Sequence, residues 1–483
     1  MAAAERRDAN DGKGADGLTG SRRNAMTTET SNKGGPEAAS GNEESGYRLP
    51  PDALGPSVRI VGPVKPQDLY DSPHAKNGRR ELGAPMYNWL HNPSGSDPFQ
   101  RTISQSGVTD KRNVVGFAVH GLKGSVNPGR TTASPAVMTR HIKQVAAFMG
   151  AGQVGVASVH PSLLSVSGTS HGGDVEADHS RAQASDDPET LAARYPYAVC
   201  MLLAWDYHLT RAHRHILGDI AYGSGHQLGA ILSANVAGYI RELGYEALDG
   251  KGNSIPMCLA AGLGELGRNG MLISERFGAR VHPFVLLTDM PLVPDKPIDI
   301  GVDEFCRVCN KCAETCPTNS IPFGDKTVSN GVEKYHVNWK TCYALRPYMS
   351  KIWRLCLTCV AVCPYTKPDV WWRSMAIWLL RTTPKTLRIP LVVRPLKWLD
   401  DHVWGRVPRP RVKWLGYDTG RLPSEPGCNI AGCSCRAGEH IEGNIGYYAP
   451  LTENARRFDG AKSGTARGAE RVKATQASPR SRE

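Results

Sequence analysis

Apolar residues fall into periodic blocks from about residue 113 onward, beginning with "NVVGFAVHG" (113–121). "RHIKQVAAFMGAGQVGVASV" reads as a helix, a glycine turn and a strand. "YAVCMLLAWDY" (197–207) is a near-continuous apolar run of strand length. "LGAILSANVAGYIRELGYEAL" (228–248) starts as a helix, with Leu232, Val236, Ile240 and Leu243 on one face. That helix should stop at Gly244 and give way to a short strand. "RVHPFVLLTDMPL" is a further strand. Strands alternating with helices predict an α/β fold class. No internal repeat is visible.

Outside these blocks the pattern decays. Residues 1–45 are rich in Gly, Ala, Ser, Asn and charge, and should form a disordered N-terminus. The expected organisation continues with a Pro- and Gly-rich extended lead (46–110), the α/β core (111–300) and a cysteine-rich module (301–368). A basic, Trp-rich wrapping segment (369–426) and a Cys-containing loop with a disordered tail (427–483) complete it. No stretch of about 20 apolar residues exists, so no transmembrane helix is expected. Arg22 and Arg23 are followed by "NAMTTETSNKGGPEAAS", which has no apolar run, so they do not read as an export signal. The expected location is the cytoplasm.

The formal charge of +12 is unevenly placed. Residues 370–421 hold eleven Lys/Arg against three Asp, and six of the ten tryptophans. Such interleaving suits a membrane surface, a nucleic acid or an acidic partner. The plainer expectation is a segment whose Trp side chains pack on the body. Pro384, Pro390, Pro395, Pro408 and Pro410 argue against one long helix there.

Eight of the thirteen cysteines fall between 306 and 363, a clustering that argues for metal rather than a disulfide framework. "CRVCNKCAETCP" is a full C-x2-C-x2-C-x3-C-P run: Cys306, Cys309, Cys312, Cys316 and Pro317. "CLTCVAVCP" supplies only Cys356, Cys359 and Cys363, and the nearest upstream cysteine, Cys342, completes a second set of four. In two-cluster ferredoxins the last cysteine of each run serves the other cluster. One [4Fe–4S] cluster is therefore expected on Cys306, Cys309, Cys312 and Cys363. The other is expected on Cys342, Cys356, Cys359 and Cys316. Structural zinc is the alternative for such cysteines. Two clusters form an electron wire, and a wire needs a redox site at its end. Cys200 and Cys258 sit in apolar settings and read as packing. Cys428, Cys433 and Cys435 read as an oxidisable loop. His208, His213 and His215 read as solvated helix residues.

"AAGLGELGRNGMLISERFGARVH", "TDMPLVPDKPIDIGVDEFCRVCNKCAETCP" and "CVAVCPYTKP" together resemble the cobalamin-dependent reductive dehalogenases. "RHIKQVAAFMGAGQVGVA" and "YIRELGYEA" fit the same family, over roughly 110–370. Epoxyqueuosine reductase, a tRNA-modifying enzyme, is a more distant relative. The resemblance implies a nitroreductase-like corrinoid-binding core with a C-terminal bacterial-ferredoxin-like two-cluster module. It implies a small-molecule organohalide substrate and electrons relayed through both clusters to cobalt. A separate donor such as ferredoxin or flavodoxin would supply them. Gly262, Gly264, Gly267, Arg268, Asn269 and Gly270 would then line the corrinoid, although a tight loop also explains the glycines.

The family uses a tyrosine as proton donor beside a Lys or Arg. A gapless alignment places these positions at His226 and His282; a one-turn shift selects Tyr222 with Arg280 instead. "DYHLTR" lacks the glycine of a D-x-H-x-x-G motif, so no histidine is expected below cobalt. Other readings are a reductase of a non-halogenated substrate, with nucleic acid as a conceivable partner, or a non-catalytic electron carrier or corrinoid-binding protein. Peripheral membrane contact is compatible with each.

Overall fold

Four antiparallel strands form the central sheet of the computed structural model. They are β1 (Gln153–Ser158), β2 (Tyr197–Ala204), β3 (Ala247–Asp249) and β4 (Val281–Thr288), in spatial order β1-β2-β4-β3. The structure describes residues 46–68, 125–167, 187–211, 216–344, 356–368 and 370–403, with isolated positions at 76, 79, 81, 413–414 and 417–418. Predicted features at 1–45, 113–121 and 427–483 lie outside the described residues, as do His213, His215, Cys428, Cys433 and Cys435.

The helix–turn–strand reading of 140–159 matches what is seen. Helix α1 (Pro135–Phe148) begins with proline in its first turn, where the missing N–H costs nothing. Gly150 then turns the chain at φ 112° into β1. The long helix α2 (Ile216–Glu242) begins twelve residues before the periodic run at 228 that announced it. It ends where expected, at Gly244 with φ 86°. A side chain there would meet the backbone of Gly129 and Arg130 at 2.7 Å.

Alternation along the strands sorts side chains onto two faces. Val199, Met201, Phe284 and Leu286 pack with Met138 and Ile142 of α1 and with Leu232, Val236 and Ile240 of α2. Ala198, Cys200, Leu202, Val285 and Leu287 face the other way. They pack with Met257, Cys258 and Leu259 of helix α3 (Ser254–Ala260). Cys200 and Cys258 are thus core residues. His282 shares the parity of Phe284, which puts it on the α2 face.

Beyond β4, helix α4 (Val302–Val308) starts the cysteine-rich part, at Gly301 in left-handed conformation. Arg59–Ile60 of the N-terminal lead pairs antiparallel with Val332–Lys334, so the lead is tied to this part by a ladder. The basic segment forms helix α5 (Trp371–Thr382), a short helical turn Lys385–Arg388, a π-helical turn Ile389–Val393 and helix α6 (Arg394–Val403). Among the described residues only Pro384 makes a clean break; Pro408 and Pro410 lie outside them. The π turn accommodates Pro390, and Pro395 lies in the first turn of α6, where no N–H is required.

Candidate functional site

All eight cysteines expected to hold clusters lie among the described residues, and all are free thiols. Cys306 feels the charge of Cys363 and Cys309, and Cys312 that of Cys306, Cys309, Cys359 and Cys363. Cys359 feels Cys356, Cys342, Cys316 and Cys363. The thiols of the two runs thus lie close enough to influence one another, Cys359 and Cys363 being near thiols of both runs. Among the described residues no three Cys, His, Asp or Glu side chains converge on a single-ion position. Burial pushes the Cys309 thiol up to about 12, with the charge of Cys363 adding to it. Burial first, then neighbouring thiols, also raises Cys306, Cys312 and Cys359. Buried thiolates so close together require a cationic core, and iron supplies one; the donor set fits the clusters.

Two predicted cofactor residues join this module to the glycine loop. The backbone N–H of Arg268 points at Cys306 Sγ at 3.4 Å. Its guanidinium donates to the carbonyls of Cys306, Pro322 and Gly324 and lies 4.1 Å over the Tyr335 ring. Asn269 donates to the carbonyl of Cys359 at 3.2 Å. Arg268 and Asn269 thus bolt the loop to both cysteine runs. The glycines answer to crowding within the chain. A Cβ on Gly262 would lie 2.3 Å from the Lys296 carbonyl, and one on Gly264 2.3 Å from that of Ile273. At Gly267 it would meet Asn269 Oδ1, and at Gly270 (φ 71°) Val337 and Trp339. In this loop Glu265 is fully buried. Its Oε1 accepts the N–H groups of Ile300 and Val302, at 2.7 and 3.2 Å, just where α4 begins.

The competing donor candidates converge. Tyr222 and His226 sit one turn apart on α2, not before it, and both reach His282, with ring centroids 4.6 and 5.3 Å away. Trp205 and Phe284 close the group, at 5.0 and 6.0 Å from His282. The close approach depends on glycine. A Cβ on Gly225 would fall 2.7 Å from the Trp205 ring, and one on Gly229 1.9 Å from that of Phe284. Arg280 is buried, donates to the Trp205 carbonyl and lies 5.3 Å over Phe277. Tyr222 and His226 are only half-buried, which gives the ring box a side open to solvent. Trp205 and Ala221, with Tyr222 at the edge, belong to one apolar cluster with Cys306, Cys309, Cys359 and Cys363.

Sequence reading did not anticipate the buried ion cluster beside the thiols. Asp400 of α6 pairs with Lys311, which lies between Cys309 and Cys312, and with Lys367, just past Cys363, at 2.6 Å. Asp401 adds a second carboxylate to Lys311 at 3.0 Å. Burial lowers Lys367 despite Asp400, whereas Lys311, between two carboxylates, is raised against its burial. The position of Lys311 inside the cysteine run was the visible signal. Trp205 was also missed, although it closes the apolar run of β2.

Residues 305–367 match the 4Fe-4S dicluster domain. The tetrachloroethene reductive dehalogenase of Desulfitobacterium hafniense is 35% identical over 231 residues, covering 45% of this chain and 40% of that protein. That of Sulfurospirillum multivorans is 38% identical over 155 residues, 30% of each chain. The epoxyqueuosine reductase of Lactococcus garvieae is 28% identical over 131 residues, 26% of this chain and 36% of that protein. The chain spans less than half the length of these curated relatives. Among solved structures, a catabolic reductive dehalogenase superposes with TM-score 0.56 at 22% identity, covering 79% of this chain and 53% of that one. A second, described as suggesting a mechanism for B12-dependent dehalogenation, gives 0.56 at 21%, with 86% and 60% covered. The mixed helix–sheet core thus has the fold of these structures. Its thiols lie in a 4Fe-4S dicluster domain, and 45% of the chain is similar in sequence to a reductive dehalogenase.

Proposed function

We propose that this protein is a corrinoid- and iron–sulfur-dependent reductase that replaces the halogen of an organohalide with hydrogen. The net reaction is R–X + 2e⁻ + H⁺ → R–H + X⁻. The observation that carries this reading is the apolar cluster in which Trp205, with Tyr222 at its edge, packs in one group with Cys306, Cys309, Cys359 and Cys363.

A bound corrinoid would supply the metal centre that accepts the electrons and cleaves the carbon–halogen bond. The chain's own residues do the rest. The eight cysteines hold the two clusters. The loop with Gly262, Gly264, Gly267 and Gly270 would present backbone to the corrinoid from a core we take to be nitroreductase-like. His226, with His282, would hold the proton that replaces the halide; Tyr222, with Arg280, is the competing donor pair. Trp205 fixes the ring of His282 through its indole N–H, at 3.0 Å.

Eight reduced thiols suit the cytoplasm. No helix of the described residues is long and apolar enough to cross a membrane. The electron donor would be a separate low-potential carrier of the ferredoxin or flavodoxin class.

The test is anaerobic reconstitution with iron, sulfide and cobalamin, followed by chemical reduction and exposure to halogenated phenols. Stoichiometric release of halide and dehalogenated phenol is the expected result. Two reducible clusters with no halide release from any organohalide would sink the reading. A second reading, reduction of a modified nucleoside in tRNA, draws on the epoxyqueuosine reductase relative and the basic residues of 370–421. RNA retained on the purified protein, without halide release, would favour it.

A further inference from the structure

Helix α6 presents several apolar side chains to water. It buries Asp400 and packs Leu396 on the thiol-containing cluster, but exposes Trp398, Leu399 and Val403, with Trp398 61% exposed. Its carboxylates are drawn inward by Lys311 and Lys367. Helix α5 has two apolar faces. Ile377 and Leu380 are buried in the cluster that contains the thiols. Trp371, Met375 and Trp378 recur at helical spacing on the other side, with Trp371 76% and Trp378 60% exposed. Both helices pack on the π-helical turn 389–393, whose Leu391 is 62% exposed.

Single exposed apolar residues are ordinary, but eight of the eighteen exposed large hydrophobics among the described residues fall within 371–403. That concentration marks a surface that meets something. Basic side chains lie on the same elements: Arg381, Lys385 and Arg394 are all exposed, although Arg381 and Lys385 also pair with Glu275 and Asp299. The sequence continues past Val403 with Trp404, Arg406, Arg409, Arg411, Lys413 and Trp414.

We propose that the outward side of residues 371–403 is a docking surface for an anionic lipid bilayer, on which the protein lies peripherally. Three features select this occupant. Aliphatic Met375, Leu391, Leu399 and Val403 accompany the indoles; acyl chains accept such residues, whereas a stack of nucleic-acid bases has no use for them. Trp prefers the headgroup level, where its ring is partly buried and its N–H stays wet. The excess of Lys and Arg complements anionic headgroups, as in interfacial amphipathic helices. Because Asp400 ties α6 to both cysteine runs, a docked protein would hold its clusters close to the bilayer plane.

The test is co-sedimentation of the full-length, cluster-loaded protein with vesicles. One set is phosphatidylcholine alone; the other contains phosphatidylglycerol at about 30 mol%, an arbitrary but strongly anionic level. Binding to the anionic vesicles, weakened by salt, is expected. The triple variant Trp371→Ser, Trp378→Ser, Trp398→Ser should bind at least about tenfold less, as expected for losing several inserted rings. Since all three rings are exposed, iron content and visible spectrum should be unchanged. Absence of wild-type binding to either vesicle would overturn the proposal. So would undiminished binding by the triple variant. Self-association, or capture of an acidic ferredoxin, that is lost in the triple variant without any vesicle binding would assign the surface to a protein partner instead.

Discussion

The indole N–H of Trp205 donates to Nδ1 of His282 across 3.0 Å. An indole nitrogen only donates, so Nδ1 must be the bare nitrogen of the neutral imidazole, and Nε2 carries the proton. The backbone stitches the same two positions together. Trp205 N–H donates to the Arg280 carbonyl at 2.9 Å, and Leu203 pairs with His282 in the ladder. Trp205→Phe keeps a ring in place and removes only the donor. Turnover should fall roughly five- to tenfold, the equivalent of one neutral hydrogen bond, with cluster spectra unchanged. Wild-type turnover in this variant would show that the tautomer of His282 does not matter to the reaction.

The ring box leaves two proton donors in competition, and pH separates them. A histidine must be protonated to give its proton, and its ordinary pKa is about 6.5. Activity that depends on His226 should therefore fall as pH rises through neutrality. A tyrosine, ordinarily near 10, would keep its proton and give a profile flat to about pH 9. His226→Phe should cost about a hundredfold or more if His226 is the general acid, and Tyr222→Phe much less. The reverse ranking, or an alkaline-flat profile in the wild type, would assign the role to Tyr222.

Cys342 is the ligand inferred by counting rather than by motif. Burial raises the Cys359 thiol, and Cys356, Cys342, Cys316 and Cys363 add to the shift, so Cys342 lies among the thiols of both runs. Reconstituted wild-type protein should carry about eight iron, from two four-iron clusters. Cys342→Ser should lose most of one cluster, bringing iron toward about four. Cys312→Ser should damage the other. Iron near eight and an unchanged EPR signal in Cys342→Ser would remove Cys342 from the ligand set.

The dicluster domain was legible because iron–sulfur coordination imposes fixed cysteine spacing, and residues 305–367 match that domain. Strands β2 and β4 were legible because buried strands read as apolar runs. The start of α2 was not, because Gly218, Gly223, Gly225 and Gly229 interrupt its periodicity. At Gly225 and Gly229 the reason lies in β4 and Trp205, far away in sequence. Glycine is kept where Trp205 and Phe284 press against the helix. The Asp400 clamp was illegible for a similar reason. It spans 89 residues to Lys311, and its helix turns this carboxylate inward, against the ordinary reading of amphipathic pattern.

Gly229 and Phe284 give that argument a test. A methyl group at 229 would lie 1.9 Å from two ring carbons of Phe284, so the ring must move out of a core where it is 1% exposed. Gly229→Ala gains helix propensity, worth about 1 kcal/mol in an open helix. Overpacking should outweigh that gain and leave a net loss of about 1–3 kcal/mol. Adding Phe284→Leu should recover part of the loss, a coupling visible only if the two sites touch. Additive effects in the double-mutant cycle of thermal midpoints would contradict this packing.

Glu265 sets a pH dependence whose sign is fixed by its burial. Desolvation pushes its carboxyl up to about 7, against the two backbone N–H groups that favour the charged form. Its Oε2 has no hydrogen-bond partner among the described residues, so ionisation is poorly compensated on that side. The folded-state value lies above the ordinary glutamate value of about 4.3. Between the two, the folded protein holds a proton that the unfolded chain has released. Stability from this group is therefore complete below about pH 4.3 and is lost as pH rises to about 7, by roughly 3–4 kcal/mol in all. Glu265→Gln keeps an oxygen for Ile300 and Val302 and cannot ionise. Between pH 5.5 and 8, wild-type thermal midpoints should fall relative to those of Glu265→Gln, with the variant the more stable of the two at pH 8. Parallel curves across that range would mean that Glu265 is charged throughout, and that its second oxygen is satisfied by water or by a residue outside the described set.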